Sequence, residues 1–346
     1  MSEVLRVTNL STQFATKGGV FNAVEGLSFS VDRGQVVAFV GESGSGKSVT
    51  ALSIMGLLNP RISKVASGSV QLNGEEIVGA SDELLQKIRG SKISMIFQEP
   101  MTSLNPSISI GEQVSEVIQT HTRCSSSKAA KSALNVLLKV GLLNAESIYD
   151  SYPHQLSGGM RQRVMIAMAV ALEPDLVIAD EPTTALDVTT EAGIMDLLKS
   201  LKRDRFGTFI LITHNLSLLQ GFVDQVIVMY AGQVVEKCST EQLFNHPEHP
   251  YTMGLLGAIP KLSDLKTRLV TIKGQVPSPF ERPEGCRFAA RCPFQEAVCL
   301  KPQELLEISP EHWSRCIKSP LRVDTVALKA TKQASKQASN QAYKGY

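Results

Sequence analysis

The sequence predicts an α/β fold whose core is a parallel β-sheet. Three short apolar runs, at residues 36–40, 176–179 and 209–213, have the continuous hydrophobicity of strands that are buried on both faces. Segments with helical spacing lie between these runs, and strands that alternate with helices build parallel sheets. A glycine-rich loop follows the first run directly and leads into a helical pattern.

The N-terminal region has the pattern of β structure. Residues 4–40 contain alternating apolar stretches, and Asp32-Arg33-Gly34 is a turn signal before the buried run. We therefore predict an N-terminal antiparallel β subdomain. Residues 49–58 then predict a helix, which Asn59-Pro60 would end.

Helical periodicity dominates the middle of the chain. The residues around Val114 and Ala133 repeat at helical spacing between polar connectors, so we predict an inserted helical subdomain over residues 99–161. Residues 160–172 form an amphipathic helical pattern, which Pro174 ends.

The remaining boundaries follow changes in composition. Residues 1–98 and 162–242 make up the predicted core, which closes with a hairpin at 226–236. Residues 243–325 are rich in proline and predict a separate, irregular extension. Residues 326–346 are rich in Ala, Ser, Lys and Gln and predict a disordered tail.

The composition excludes several classes of protein. The chain has 346 residues, of which 43% are hydrophobic and 20% charged, so wholesale disorder is excluded. Lys and Arg number 35 against 33 Asp and Glu, a balance that argues against a protein built around a nucleic-acid-binding face. The N-terminus lacks the pattern of a signal peptide. The longest apolar stretch, residues 164–172, is shorter than the roughly 20 residues of a membrane-spanning helix.

The glycine-rich loop matches the phosphate-binding pattern G-x-x-x-x-G-K-S/T. Its residues are Gly41, Glu42, Ser43, Gly44, Ser45, Gly46, Lys47 and Ser48. Glycines let successive backbone N–H groups point at phosphate oxygens, and the next helix adds its N-terminal dipole. Lys47 would then reach the β- and γ-phosphates, and Ser48 would bind Mg²⁺.

Two carboxylates follow the apolar run at 176–179. In a phosphate-binding fold of this kind, the first carboxylate after such a strand lies beside Mg²⁺, which predicts this place for Asp180. The second, Glu181, is placed to orient and polarise an attacking water molecule.

Residues after the helical insertion resemble the signature loop of ABC-type ATPases. This loop comprises Leu156, Ser157, Gly158, Gly159 and Met160, and Met160 stands where the family usually has Gln. Three single residues fit the same family in order and spacing. Gln98 resembles the Q-loop glutamine, Asp187 the D-loop aspartate and His214 the switch histidine.

The resemblance implies a P-loop NTPase core of RecA type that uses ATP and Mg²⁺. It implies catalytic roles for Glu181, His214 and Gln98, with Ser48, Gln98 and Asp180 at the Mg²⁺ ion.

It also implies that two ATPase domains face each other head to tail, so that residues 156–160 contact the ATP of the partner. An aromatic residue upstream of the P-loop would stack on adenine, either Phe21 or, as the second choice, Phe14.

Four of the six cysteines, Cys286, Cys292, Cys299 and Cys316, crowd the C-terminal extension. In a chain without an export signal such a cluster suggests metal before disulfide. Their spacing alone leaves an iron–sulfur cluster, zinc and no metal open.

Residues 281–293 and the stretch His249-Pro250-Tyr251-Thr252 resemble the C-terminal extension of oligopeptide and dipeptide importer ATPases. That resemblance implies a 4Fe–4S cluster on the four cysteines, with zinc as the lesser alternative.

The family implies a subunit that binds and hydrolyses ATP to power import of dipeptides or oligopeptides. Its implied partners are a second, non-identical ABC ATPase, two polytopic permease subunits and, through them, a periplasmic or extracellular peptide-binding protein. Nucleic acid is not expected, and the place is peripheral, on the cytoplasmic face of a bacterial inner membrane. The alternatives are an importer of nickel or another small solute, or a soluble ABC ATPase that acts on nucleic acid or ribosomes.

Overall fold

The N-terminal region folds as a sheet of its own. The computed structural model describes residues 2–203, 207–259 and 272–321. Within them, four antiparallel strands lie in the order β2-β1-β4-β5. Their bounds are β1 Glu3–Thr16, β2 Gly19–Asp32, β4 Ser63–Leu72 and β5 Glu75–Glu76. The expected β subdomain is therefore present, and it includes a segment after the glycine-rich loop that sequence patterns did not mark.

The second sheet forms the core and has eight strands among the described residues, in the order β11-β12-β10-β9-β3-β8-β7-β6. The bounds are β3 Val36–Val40, β6 Ile93–Ile96, β7 Leu176–Asp180, β8 Phe209–Thr213, β9 Gln225–Tyr230, β10 Gln233–Ser239, β11 Leu306–Ser309 and β12 His312–Ser314. Strands β6, β7, β8, β3 and β9 pair in parallel. Every residue of β3, β7 and β8 is buried, which confirms the parallel core predicted from continuous apolar runs.

Helix α1, Lys47–Ile54, follows β3 through the glycine-rich loop. The predicted bounds of 49–58 were wrong at both ends. The helix begins directly after Gly46, whose φ of 106° lies in the left-handed region. It ends before Gly56, whose φ of 64° is a common helix-ending conformation.

The remaining helices lie around the two sheets and in the insertion. Their bounds are α2 Asp82–Ile88, α3 Pro100–Ser103, α4 Ile110–Thr122, α5 Ser126–Lys139, α6 Ala145–Tyr149, α7 Gly158–Val170 and α8 Val188–Arg203. A capping box between Ser109 and Glu112 begins α4. Apolar faces of α4, α5 and α7 share one hydrophobic core with β3 and β7, so the helical segment is packed on the sheet that carries the glycine-rich loop.

The C-terminal extension is not wholly irregular, and that part of the prediction was wrong. It contributes α9 Thr240–Asn245, α10 Pro250–Gly257 and the strands β11 and β12. β12 pairs antiparallel with β10, so the extension lengthens the core sheet at one edge. The tail predicted to be disordered, residues 326–346, lies outside the described residues.

Candidate functional site

The glycine-rich loop curls at the carboxyl end of β3. Gly41 has a φ of 150°, and a Cβ atom there would lie 2.2 Å from the carbonyl oxygen of Met229, so only glycine fits. The buried Nζ of Lys47 donates to the carbonyl oxygens of Gly41 (2.8 Å) and Glu42 (3.1 Å). Burial lowers the pKa of the Lys47 ammonium. The buried hydroxyl of Ser45 has no hydrogen-bond partner among the described residues, and it lies within this phosphate-type cradle.

The Mg²⁺ candidates meet beside this loop. The Ser48 hydroxyl at the start of α1 donates to Oδ1 of Asp180 at the end of β7, over 3.1 Å. Burial raises the pKa of Asp180, and the Ser48 hydrogen bond opposes that rise. A hydroxyl and a carboxylate at this separation are the hard oxygen ligands that suit Mg²⁺.

Glu181 is the meeting point of the predicted catalytic residues. Its Oε2 accepts from Nε2 of Gln98 (3.2 Å) and from the hydroxyl of Thr184 (2.7 Å), and it lies 3.2 Å from Nδ1 of His214. Strand order explains the convergence, because β6, β7 and β8 are adjacent and parallel and these residues follow their carboxyl ends.

Two further features of this cluster concern Gln98 and Thr184. Gln98 was predicted both as a catalytic residue and at the Mg²⁺ ion; its Nε2 donates to Glu181, and the Ser48–Asp180 pair is joined by its own hydrogen bond. Thr184 was missed, and its only signal was a hydroxyl three residues after Glu181, the predicted catalytic carboxylate.

The signature residues lie at the start of α7, where Ser157 and Gly158 are exposed and Leu156 is buried. Ser157 caps the helix, since its hydroxyl accepts from the N–H of Met160 over 3.3 Å. Gly159 is tightly packed, because a Cβ there would lie 2.6 Å from Cγ2 of Thr190. Thr190 also donates through both its N–H and its hydroxyl to Asp187, and the side-chain bond lowers the Asp187 pKa. Among the described hydrogen bonds, none joins the signature residues to the glycine-rich loop, so within one chain they form a separate surface.

The adenine candidate Phe21 belongs to an aromatic group. Phe14 stacks on it at 6.0 Å between ring centroids, with the rings 17° apart. Phe280 of the extension meets its edge at 5.5 Å. Sequence patterns did not single out Phe280, because only the fold brings residues so distant in the chain together.

The four cysteines of the extension line one cavity, together with His249 and Phe288. Burial raises the pKa of Cys286 and Cys316, and it raises that of Cys292 to about 11. Neutral thiols are therefore favoured unless a cation stabilises the thiolates.

The spacing of the sulfur atoms also bears on the metal. Among the described residues no three of these sulfurs all lie within 4.8 Å of one another. Four sulfurs around one zinc ion at about 2.3 Å would lie closer together than that. A four-iron cluster holds its thiolates farther apart, because iron and sulfide lie between them.

A second group of possible ligands is Glu236, Cys238 and His312, all buried and mutually within 4.8 Å. Both oxygens of Glu236 are already engaged, by His312 and by the N–H groups of Glu248 and His249. Burial keeps the pKa of Cys238 far above its ordinary value. We therefore interpret this group as a structural network.

In the described part of the chain, no helix combines the length and the apolar character needed to cross a bilayer.

Sequence comparisons match both halves of the chain to known families. Residues 24–184 match the family described as ABC transporter, and residues 235–299 match the family described as oligopeptide/dipeptide transporter, C-terminal region. The chain is 50% identical to the oligopeptide transport ATP-binding protein AppD of Bacillus subtilis, over 88% of this chain and 93% of that protein. It is 48% identical to the dipeptide transport ATP-binding protein DppD of the same organism, over 86% of this chain and 89% of that protein.

Solved structures agree with the fold. A dimeric structure of the bacterial ABC transporter cassette MJ0796 superposes with a TM-score of 0.61 at 30% identity, over 68% of this chain and 98% of that chain. The same cassette, bound to ADP and phosphate after hydrolysis, gives the same values.

Proposed function

The chain belongs to the family of ABC transporter ATP-binding proteins, and we propose that its hydrolysis of ATP powers the import of peptides through partner membrane subunits. The observation that carries the proposal is the convergence of Gln98 and His214 on the Glu181 carboxylate, beside the Ser48–Asp180 pair. Relatives named for oligopeptide and dipeptide transport support the cargo class.

Each part of the site has a role in hydrolysis. Backbone N–H groups of residues 41–48 and the start of α1 hold the phosphates, and Lys47 neutralises their charge. Ser48 and Asp180 would hold Mg²⁺, which would stabilise the negative charge of the phosphates. Glu181 accepts the proton of the attacking water. Gln98 and His214 hold Oε2 of that carboxylate in place.

A second ATPase subunit completes the site. The signature residues at the start of α7, of which Ser157 and Gly158 are exposed, would face the γ-phosphate held by the partner's P-loop, where helix N–H groups stabilise negative charge. A solved cassette of similar fold is dimeric, which supports the pairing of two ATPase domains. We expect the partner to be a non-identical ATPase.

An exposed apolar patch provides a surface for the permease. Phe97, Met101 and Tyr152 are 40%, 64% and 41% exposed. Arg161 ties the two segments of the patch together, because it contacts Sδ of Met101 and donates to the carbonyl oxygen of Pro153. Docking of two permease subunits here would place the ATPase on the cytoplasmic face of a bacterial inner membrane, with a peptide-binding protein on the other side.

The cysteine cavity fits a 4Fe–4S cluster better than zinc on the spacing of its sulfur atoms, although four thiolates are a usual ligand set for either. Cys286, Cys292, Cys299 and Cys316 would hold it, and it would supply a rigid cross-link with redox character. Anaerobically purified protein should contain about four iron and four sulfide per chain. Cys292→Ser should lose the iron, whereas Cys124→Ser, outside the cavity, should keep it. Stoichiometric zinc without iron would overturn the assignment.

The catalytic assignment is tested with Glu181→Gln and Lys47→Ala. Glu181→Gln should lower kcat for ATP by about 10²–10⁴-fold. It should also retain ATP binding and, when mixed with its partner ATPase subunit, accumulate an ATP-bound dimer in size-exclusion chromatography. Lys47→Ala should lose ATP binding itself. An unchanged hydrolysis rate in Glu181→Gln would refute the role of Glu181.

The transport assignment is tested by purification from detergent extracts. Recovery with two polytopic membrane proteins, and ATP hydrolysis stimulated by a peptide-loaded binding protein, are the expected results. Recovery with ribosomes or DNA would contradict the proposal.

A further inference from the structure

A short part of the extension runs along the nucleotide side of the core. Phe280 meets Phe21, and Arg282 donates to the carbonyl oxygen of Asn22 in β2. Further along, Arg287 donates to the carbonyl oxygen of Ala231 and pairs with a glutamate of β2. The extension is therefore attached to the core along a line that ends at the P-loop.

The last contact of this line is made to the P-loop itself. Nη1 and Nη2 of Arg291 donate to the two carboxylate oxygens of Glu42, at 2.7 and 3.0 Å. The Arg291 side chain is only 7% exposed, and that of Glu42 is 29% exposed. Nη1 also reaches the Tyr230 hydroxyl, and Nε donates to the carbonyl oxygen of Lys273. Such a bidentate, partly buried pair has a fixed geometry.

The extension also holds the backbone of the same residue. The N–H of Glu42 donates to the hydroxyl of Tyr251 in α10 over 2.8 Å. The carbonyl oxygen of Glu42 accepts from Lys47. Glu42 is thus fixed through its side chain and its N–H by the extension, and through its carbonyl by the lysine that would bind phosphate.

A carboxylate in this position opposes the function of the loop. The phosphates of ATP carry several negative charges, and an unpaired Glu42 on the loop that receives them would repel them. The guanidinium of Arg291 offsets that charge, because it binds both carboxylate oxygens of Glu42. The need for such a partner is specific to a P-loop that carries an acidic residue in its second position.

We propose that Arg291 is a positioning residue of the ATP site, which pairs with Glu42 so that the P-loop binds ATP without repulsion. The inference rests on the proposed ATP site. Since Arg291 directly precedes Cys292, the fold of the cysteine-lined extension is what presents the guanidinium to the loop. The extension thereby sets the affinity of the core for ATP.

The test is a double-mutant cycle with Arg291→Gln, Glu42→Gln and the double variant, in the full chain. Arg291→Gln should raise the Kd for ATP roughly tenfold, the effect of one uncompensated charge at about 10 Å in a medium of intermediate polarity. KM should rise in parallel while kcat at saturating ATP is kept, because the Glu181 cluster is not touched. The double variant should recover ATP affinity to within about threefold of the unmodified protein, since no net charge is then left on the pair.

Arg287→Gln is the matched control. It removes an arginine–glutamate pair between the extension and β2, leaves every partner of Glu42 in place and should leave the Kd for ATP unchanged. Iron content and melting temperature, measured on every variant, report whether the extension is intact.

Two outcomes would overturn the proposal. One is an unchanged Kd in Arg291→Gln. The other is a double variant that binds ATP as weakly as Arg291→Gln, which would mean that Arg291 acts through folding and not through the Glu42 charge. Failure of the proposed ATP site is recognised separately, because the unmodified protein would then bind ATP no better than Lys47→Ala.

Discussion

The Glu236 carboxylate links the extension to the core by hydrogen bonds, and the effect of its removal on stability can be worked out from the structure. The carboxylate on β10 is fully buried. Its Oε1 accepts from the N–H of Glu248 (2.7 Å) and lies 2.8 Å from Nε2 of His312 in β12. Its Oε2 accepts from the N–H of His249, the capping residue of α10, over 2.9 Å. One side chain therefore binds the start of α10 and the strand that extends the sheet.

The size of the effect follows from these three donors. In Glu236→Ala each of them loses its acceptor in a buried place, at about 1–3 kcal/mol for each group. The costs are not additive, since neighbouring groups relax together, so we expect a loss of about 3–5 kcal/mol in the free energy of unfolding. Glu236→Gln should cost about half as much, because its amide oxygen can still accept at one of the two positions.

Urea unfolding measures this loss directly. The single tryptophan, Trp313, lies next to His312 on β12, and Nζ of Lys237 is 3.7 Å from its ring centroid. Its fluorescence therefore reports on β12, the strand that His312 links to Glu236. Glu241→Gln, an exposed glutamate on α9, is the control and should change stability by less than about 0.5 kcal/mol.

Two results would refute the reasoning. If Glu236→Ala unfolds at the same urea concentration as the control, the carboxylate does not stabilise the contact between the extension and the core. The second result concerns a chelator added to the unmodified protein. If it removes a bound ion other than iron and lowers stability as much as the Glu236→Ala substitution does, Glu236 and His312 bind a metal.

Two further predictions concern acid stability and the helical segment. Complete burial lowers the pKa of His249 to about 3. Below about pH 6.5 the unfolded chain therefore takes up a proton at this histidine that the folded protein does not. The free energy of unfolding then falls by up to about 1.4 kcal/mol per pH unit between pH 6.5 and pH 3. His249→Asn keeps a capping side chain, and thermal melting between pH 7 and pH 4 should show a smaller loss than in the unmodified protein; parallel curves would contradict this. Gly111→Ala would place a Cβ 2.2 Å from the Tyr149 ring, so α4 and α6 must move apart and the melting temperature should drop, at a cost of about 1–3 kcal/mol. Tyr149→Ala removes the ring that the new Cβ meets, so the double variant should lose less stability than the sum of the two single variants. Losses that simply add would refute the clash.

Much of the catalytic cluster could be predicted because its residues are tied to strand ends. Gln98, Asp180 and His214 each follow a continuous apolar run, and such runs become adjacent parallel strands whose carboxyl ends meet. The same logic located the P-loop after β3. These site residues could therefore be predicted from local sequence, because each one follows a strand that its own neighbouring residues identify.

The contacts that sequence patterns missed are those between segments far apart in the chain. Strands β11 and β12 are short and partly polar, with neither a buried run nor a clean alternation to mark them. They form because β10 offers an edge, and because Glu236 supplies the acceptor that His312 needs. The end of α1 is a different case. Gly56 is a common helix-ending residue, but the helix was predicted to continue to Asn59-Pro60, the stronger turn signal.

The change in composition near residue 243 is therefore a boundary of sequence pattern and not of folding. A separable module would be expected to meet the core through few contacts. Here the extension lengthens the core sheet through β12, places a fully buried hydrogen-bond network on Glu236 and reaches the P-loop through Tyr251 and Arg291. Because these contacts include both the backbone and the side chain of Glu42, we expect a change in how the cysteine-lined cavity folds to alter ATP binding. The extension is thus better regarded as a wall of the nucleotide site than as an appendage to it.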